Sequence, residues 1–468
     1  MMKREELEKL NNELLIELTL KMAAEIAALK AEIADLKAQL NQNSSNSSKP
    51  PSSDGLVKPT AKTPRGKSEK RPGGQQGHKG HGLKIGREPD EVVTVVPVVC
   101  PECGESLAGE PTFHADTRYV YDIHIEITLR KYDIQGSVCS QCGAAVMGTP
   151  PEECRGTVNY GNTLRALVVV LTQYACVGID KTRKILRDIL DIPISGGTIK
   201  RIIRQFAAKT GQTVERIKEN LQASPVLNAD ETGGRIAGRT EWFHVASNAR
   251  YTLVTAHRKR GREGSDAGGV LPRYEGVLVH DCWKPYFGFD KCEHAVCCAH
   301  LLRELNALIE NGQQWASGMK MLLLEMKEVV DRYKGDDKTE LSRYYRGKFE
   351  DRYNDILAAA RKEITPSVTR KKSKAENLLV RFEEYRAEIM RFTGDFNVPF
   401  DNNQAERDIR NVKVKQKVSG GFRTEDGADD YANTTSVIGT AVKCGQSVFG
   451  TVRDLFVGSK LALVHATE

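Results

Sequence analysis

Three acidic residues stand in contexts where they could do chemistry. Pro225 to Thr232 (Pro-Val-Leu-Asn-Ala-Asp-Glu-Thr) reads as a short strand ending in acid, and Gly276 to Asp281 repeats that apolar run into acid. With a side-chain period of two, Val226, Asn228 and Asp230 share one strand face and Leu227, Ala229 and Glu231 the other. Only one of the two adjacent acids can therefore enter a given site. Two strand-end aspartates, Asp230 and Asp281, would repel side by side unless cations lay between them. The third acid comes from Asp401-Asn402-Asn403-Gln404-Ala405-Glu406-Arg407-Asp408-Ile409-Arg410. This segment reads as a helix start with Asp401 as N-cap and Gln404 completing a capping box. Glu406 then falls in the second turn and Asp408 faces away from it, while Asn402 or Asn403, Glu406 and Arg410 can share a face. Three carboxylates without clustered His or Cys make an oxygen site suited to Mg²⁺ or Mn²⁺. Two such ions about 4 Å apart clamp the attacking and leaving oxygens of an in-line phosphodiester displacement.

A second constellation is made of sulfur. Cys100-Pro101-Glu102-Cys103-Gly104 and Cys139-Ser140-Gln141-Cys142-Gly143 are tight turns whose thiolates can grip one ion, each followed by a glycine for the unusual backbone angles. Thr117 to Lys131 alternates in strand fashion between them, so the pattern predicts a zinc ribbon with Cys100, Cys103, Cys139 and Cys142 on a structural Zn²⁺. Cys154 and Cys176 lack partner spacing and read as buried residues. The cluster Cys292, His294, Cys297, Cys298 and His300 reads as core packing on a buried strand.

Elements must position these groups. Met22, Ile26, Leu29, Ile33, Leu36 and Leu40 step by heptad spacing along a helix over residues 5 to 40, a seam that would pair two chains. Asn41 to Pro51 ends that helix with short polar residues and prolines. From residue 41 to 90 there are ten Lys/Arg against four acids and few large apolar residues. That is a basic arm whose natural counter-charge is a phosphate backbone, with Lys49 and Lys79 among its candidate DNA contacts. Asp180 to Leu190 reads as a short helix, 191 to 194 as a break, and Ser195 as the cap of a second helix bearing Lys200, Arg201 and Arg204. This pair resembles a helix-turn-helix. Further strands are expected over Glu241 to Ser247 and Tyr251 to His257, and helices over Met319 to Asp331 and Lys348 to Glu363.

Asn43 to Asp54, Gly73 to Gly80, the two Cys pairs, Asp230-Glu231-Thr232, His280-Asp281, Cys297-Cys298-Ala299-His300 and Asp401 to Arg407 occur in this order along nearly the whole chain. Together they closely resemble the insertion sequence 66 family of bacterial and archaeal DNA transposases. The resemblance implies an RNase H-like catalytic domain of the DDE type, in which Asp230, Asp281 and Glu406 hold two Mg²⁺ (or Mn²⁺), with a helical insertion before Glu406. It points to His300, Arg303, Asn403, Arg407 and Arg410 as further active-site or DNA contacts. The chain departs from the family where Leu302 precedes Arg303, leaving one Arg in place of two adjacent basic residues. Lys413 to Arg423 is a looser match to the family's basic, aromatic-rich segment.

The 468 residues carry a net charge of +7, are 40% hydrophobic and 28% charged, and include eleven cysteines. Such a composition excludes wholesale disorder, collagen and a disulfide-dense scaffold. With no long apolar run and no apolar leader, a cytoplasmic protein without membrane contact is expected. The fold class expected is multidomain α+β. It comprises a coiled-coil helix (1–42), a basic linker (43–90), a zinc ribbon (91–150), a helix-turn-helix-like region (151–222) and an RNase H-like α/β domain in two parts (223–310 and 395–468) around a helical insertion (311–394). The expected function is binding of element ends, 3′-end cleavage and strand transfer, by a homodimer or higher oligomer acting on end and target DNA, with other element-encoded proteins as candidate partners. Two alternatives are a hydrolytic nuclease of the same fold and a zinc-ribbon regulator with a decayed catalytic domain.

Overall fold

A computed structural model describes residues 12–40, 42, 46, 85–151, 154, 156–365 and 372–459. The chain divides into two units, Met1–Pro59 with Tyr132–Glu468, and Thr60–Lys131. Lys49, Lys79 and most of the basic arm lie outside the described residues.

In the smaller unit the first Cys turn is closed by local bonds, with Gly104 N–H donating to the Cys100 carbonyl at 2.9 Å and Gly104 at φ 78°. The strand expected over Thr117 to Lys131 does not form. Its alternation is real, but a strand needs a ladder partner, and among the described residues none pairs with it.

In the larger unit, α1 (Asn12–Leu40) carries the heptad seam, whose Met22, Ile26 and Leu29 are about half exposed in the single chain. The second Cys turn is gripped by a hairpin of β1 (Gly136–Val138) and β2 (Ala145–Met147). Four helices follow: α2 (Asn162–Val169), α3 (Ile179–Leu190), α4 (Gly196–Lys209) and α5 (Gly211–Gln222). Asp191 closes α3 in the left-handed region and the Ser195 hydroxyl accepts the Thr198 N–H, so both helix boundaries follow from caps visible in the sequence. Ile199, Ile202 and Phe206 bury one face of α4 while Lys200, Arg201 and Arg204 remain exposed. Arg204 also pairs with Asp426 and Asp430. Of the two cysteines expected to be buried, Cys176 is buried and Cys154 only half-buried.

The sheet is built from β3 (Val226–Ile236), β4 (Arg239–Ser247) and β5 (Thr252–His257), then, after α6 (Arg262–Ala267), from β6 (Val277–His280) and β7 (Glu293–Val296). Its order is β5-β4-β3-β6-β7, antiparallel among the first three and parallel from β3 to β6 to β7. β3 does not stop at its acids. It runs through Gly233 and Gly234 to a two-residue turn, Ala237-Gly238, both at positive φ, which suits the twist of a hairpin. Asp230 is therefore a mid-strand residue.

Beyond the sheet come α7 (Cys298–Glu310), α8 (Gln314–Lys334), α9 (Arg343–Glu363), α10 (Lys374–Glu384), α11 (Arg386–Gly394), α12 (Asn403–Ser419), α13 (Glu425–Lys443) and α14 (Val448–Val457). α8 to α11 form the helical insertion, and with α7 they bury Val277, Val279, Ala295 and Val296 of β6 and β7. The same sheet face continues under α12, where Phe243, Val245 and Val254 meet Ala405, Ile409 and Val412. Leu227, Ala229 and Leu278 point to the opposite face, against α4, α5 and the ends of α13 and α14. Helix α13 also closes the β5 edge: Thr440 and Ser436 hydroxyls accept the N–H groups of Thr252 and Val254 at 3.1 and 2.8 Å. A Cβ at Gly439 would sit 3.3 Å from Thr252, so glycine permits that approach. No helix among the described residues is long and apolar enough to cross a membrane.

Candidate active site

Register brings the two aspartates level. β3 and β6 pair in parallel with Val226 opposite Val277 and Asn228 opposite Val279. Two residues on, Asp230 stands across from Asp281, just past the end of β6. The Asp230 carboxylate accepts its neighbour's N–H, from Glu231, at 2.9 Å, and Asp281 accepts the Trp283 N–H at 3.1 Å.

The third acid is delivered by a pin between α12 and β3. Asn402, fully buried, donates its side-chain N–H to the Ala229 carbonyl at 2.7 Å and accepts from Asn228 at 2.9 Å. Asn402, not Asp401, is the N-cap of α12, and the expected capping box is absent. Asp401 instead accepts the Asn403 N–H, and Gln404 reaches forward to Asp408. The physical reason is that Asn402 is held by two sheet contacts, which places the helix start one residue later than local pattern suggests. Glu406 follows one turn on, and Asp408 does face away, paired with Lys443 at 2.6 Å.

Partners of Glu406 come from α7. His300 Nδ1 lies 3.7 Å from Glu406 Oε1 and Arg303 Nη2 3.8 Å from Oε2. Oε1 is buried with no hydrogen-bond partner among the described residues. The cluster of cysteines and histidines is thus not confined to one buried strand. Cys297 follows β7 as the N-cap of α7, while Cys298 and His300 lie in the first turn of that helix. Cys297 Sγ accepts the Asn402 N–H at 3.1 Å and touches His300 Nδ1 at 3.3 Å. The ligand atoms of Cys297, His300 and Glu406 lie within 4.8 Å of one another. Burial pushes the Cys297 thiol up to about 12, which opposes the thiolate a metal would need. Among the other residues flagged by sequence, Arg407 bonds to Gln404 and Arg410 is exposed; neither supplies a partner to Glu406.

Electrostatics follow from this crowding. Burial raises Asp230 well above the ordinary carboxylate range, and the charges on Glu231, Asp281 and Glu406 add to the effect. Burial also lowers His300, with Arg303 acting in the same direction against Glu406 and Asp281. His280, directly before Asp281, is fully buried against His294 and is pulled down to about 3, so it is a neutral core group.

The adjacent acids separate as the strand period requires. Glu231 turns away from the face of Asp230 and accepts Arg260 on Oε1, at 3.0 and 2.9 Å, and the Tyr286 hydroxyl on Oε2, at 2.7 Å. Sequence reasoning missed Arg260, Tyr286 and the Asn228–Asn402 pin. Asn228 alone left a signal, as a polar residue on the Asp230 face of an otherwise apolar strand.

A mixed sheet with Asp230 and Asp281 at neighbouring strands and Glu406 on the first turns of the helix that packs over it defines a multidomain α+β protein with half-buried acids at the sheet centre. The transposase IS66 family matches residues 157–430, more than half of the chain, and the protein belongs to that family. Its partner is accordingly DNA. A family of unknown function matches residues 1–84, and no curated protein matches the chain.

Proposed function

We propose that Asp230, Asp281 and Glu406 form a DDE triad that holds two Mg²⁺ (or Mn²⁺) and supports 3′-end cleavage and strand transfer of an insertion sequence. The observation that carries this reading is that Asp230 and Asp281 stand level on neighbouring strands and Glu406 is near enough for its charge to act on Asp230, with Glu406 Oε1 buried and without a hydrogen bond among the described residues. A buried carboxylate oxygen left without a donor costs free energy that a cation offsets. The donor set is hard oxygen, which fits Mg²⁺ better than Zn²⁺. When bound, the ions activate water or a 3′-hydroxyl and stabilise the leaving oxygen. The protein's own part is positional. The β3–β6 register spaces the aspartates, Asn402 sets the height of α12, and His300 with Arg303 limits where the Glu406 carboxylate can turn. Three antiparallel strands followed by two parallel ones, with the acids on the central pair, support the RNase H-like reading of the domain.

The cysteines of the two turns, Cys100 with Cys103 and Cys139 with Cys142, are ligands for structural Zn²⁺ in this proposal. In each turn a glycine at positive φ closes the loop, and backbone N–H groups lower the first thiol, from Cys103 then Glu102 for Cys100 and from Cys142 then Gln141 for Cys139. Lys200 and Arg201 on α4 contact the DNA backbone, and the α1 seam pairs two chains so that two ends can be held together. Incubation with end DNA and Mg²⁺ tests the reading. Joined products support a transposase cycle, whereas cut ends that never join a target would leave a hydrolytic nuclease.

A further inference from the structure

Beside the acid cluster lies a guanidinium held from three sides. Arg260, in the loop between β5 and α6, gives Nε and Nη2 to Glu231 Oε1 and lies over the rings of Trp283 and Trp242, 4.4 and 4.9 Å from their centroids. Glu231 is 1% exposed at its side chain and Arg260 44%. Nη1 has no hydrogen bond among the described residues. An exposed ion pair ordinarily leaves an arginine free to wander. Here a buried carboxylate fixes one edge of the guanidinium and two aromatic rings restrict its plane, so a donor edge is preorganised on an accessible side chain.

The anchors tie this donor to the catalytic strands. Glu231 follows Asp230 in β3, Trp283 donates its N–H to Asp281, and Tyr286 completes the acceptor set of Glu231. Three carboxylates alone would repel a polyanion, and Arg303 offers compensation from the α7 side. Arg260 offers it from the β5 side. With both oxygens hydrogen-bonded, Glu231 differs from Glu406, whose Oε1 has no hydrogen bond among the described residues.

We propose that Arg260 is a phosphate receptor for the DNA strand next to the scissile bond, and that Glu231 is its positioning residue and not a metal ligand. The ligand class is a phosphodiester, bound through the planar, charge-assisted donors that arginine presents. This rests on the triad reading for the location of the scissile bond, but its test reads binding and so can fail separately.

The experiment uses the full chain and a duplex taken from the element's own terminus, with single phosphates near the cleaved bond replaced by neutral methylphosphonate. Arg260→Gln should weaken binding roughly ten- to hundredfold on unmodified DNA. One particular methylphosphonate should weaken the parent similarly and leave Arg260→Gln no worse, while all others act additively. Glu231→Gln should weaken coupling to that same phosphate, without altering the Mg²⁺ concentration needed for cleavage. Arg260→Lys, which keeps the charge, covers the case in which the Gln variant does not fold; it should still select the same phosphate with lower affinity. Additivity at every phosphate in both variants would overturn the proposal and leave Arg260 as a structural partner of Glu231. An increase in Mg²⁺ requirement for Glu231→Gln would overturn the second half. Cleavage by Asp281→Asn would instead refute the triad and leave the phosphate coupling standing.

Discussion

Two regions of this protein carry residues of metal-ligand type, and they are organised in opposite ways. Each cysteine turn is closed by bonds inside a few residues, such as Gly104 to Cys100 and Gly143 to Cys139, and its thiols are largely at the surface. The acid centre draws its side chains from β3, the end of β6, α7 and α12, and its three acids are half-buried. Local turns present such side chains before any fold exists, so a metal could complete them. A centre drawn from distant elements is shaped by the fold, and its strain appears as burial and like charge at Asp230. The first kind should couple metal to local order and the second should couple metal to reaction.

The contrast breaks most visibly at Asp281. Asp281→Asn should reduce Mg²⁺-dependent cleavage by more than about a thousandfold while gel shifts show DNA binding intact, because a ligand is lost and no phosphate contact. Substantial cleavage by the variant would end the assignment. Next in size is the sulfur site. Purified protein should carry about one zinc per chain, and Cys139→Ser should lose it with little change in the melting of the catalytic domain. Zinc-free protein with an ordered 91–150 segment would remove the ribbon from the account.

His300→Ala sharpens the comparison within the acid centre. If His300 acts by orienting Glu406, this substitution should raise the Mg²⁺ concentration for half-maximal cleavage by roughly ten- to hundredfold, with the rate recovering at saturating metal. A lost rate at all metal concentrations would make it a reacting group. Outside both regions, Leu29→Glu with Leu36→Glu should convert dimers to monomers in sedimentation while single-end binding survives. An unchanged dimer would place the interface elsewhere.

The smallest effect concerns stability. His244, buried under the Lys259 loop, is pulled down to about 4, chiefly by burial. Above its ordinary value of 6.5 both folded and unfolded chains hold it neutral, so its contribution is complete there. As pH falls from 6.5 towards 4 the unfolded chain takes up a proton that the folded one refuses. Stability is lost at up to about 1.4 kcal/mol per pH unit from this group. Replacing it by Asn should flatten that part of the profile, and an identical slope in chemical denaturation of parent and variant would refute the assignment.

Much of the architecture was legible because the signals are local. The Asp191 to Ser195 break, the alternating strands around Asp230 and Asp281, and the long helices after Asp281 depend on caps and periodicity that neighbouring residues set. Two errors show the limit. Thr117 to Lys131 alternates without forming a ladder, because strand pairing is not a property of one segment. The α12 N-cap shifted to Asn402 because contacts to Asn228 and Ala229, far away in sequence, outweighed the local capping pattern.

By itself the sequence determined which residues could act: a period-two strand separates Asp230 from Glu231, and a tight Cys turn followed by glycine presents two thiols. Tertiary structure decided what each became. The β3–β6 register set Asp230 level with Asp281, the Asn402 pin fixed the start of α12 against β3, and Arg260 with Tyr286 claimed both oxygens of Glu231. These outcomes rest on hydrogen bonds and burial between elements far apart along the chain, and only folding brings such partners together.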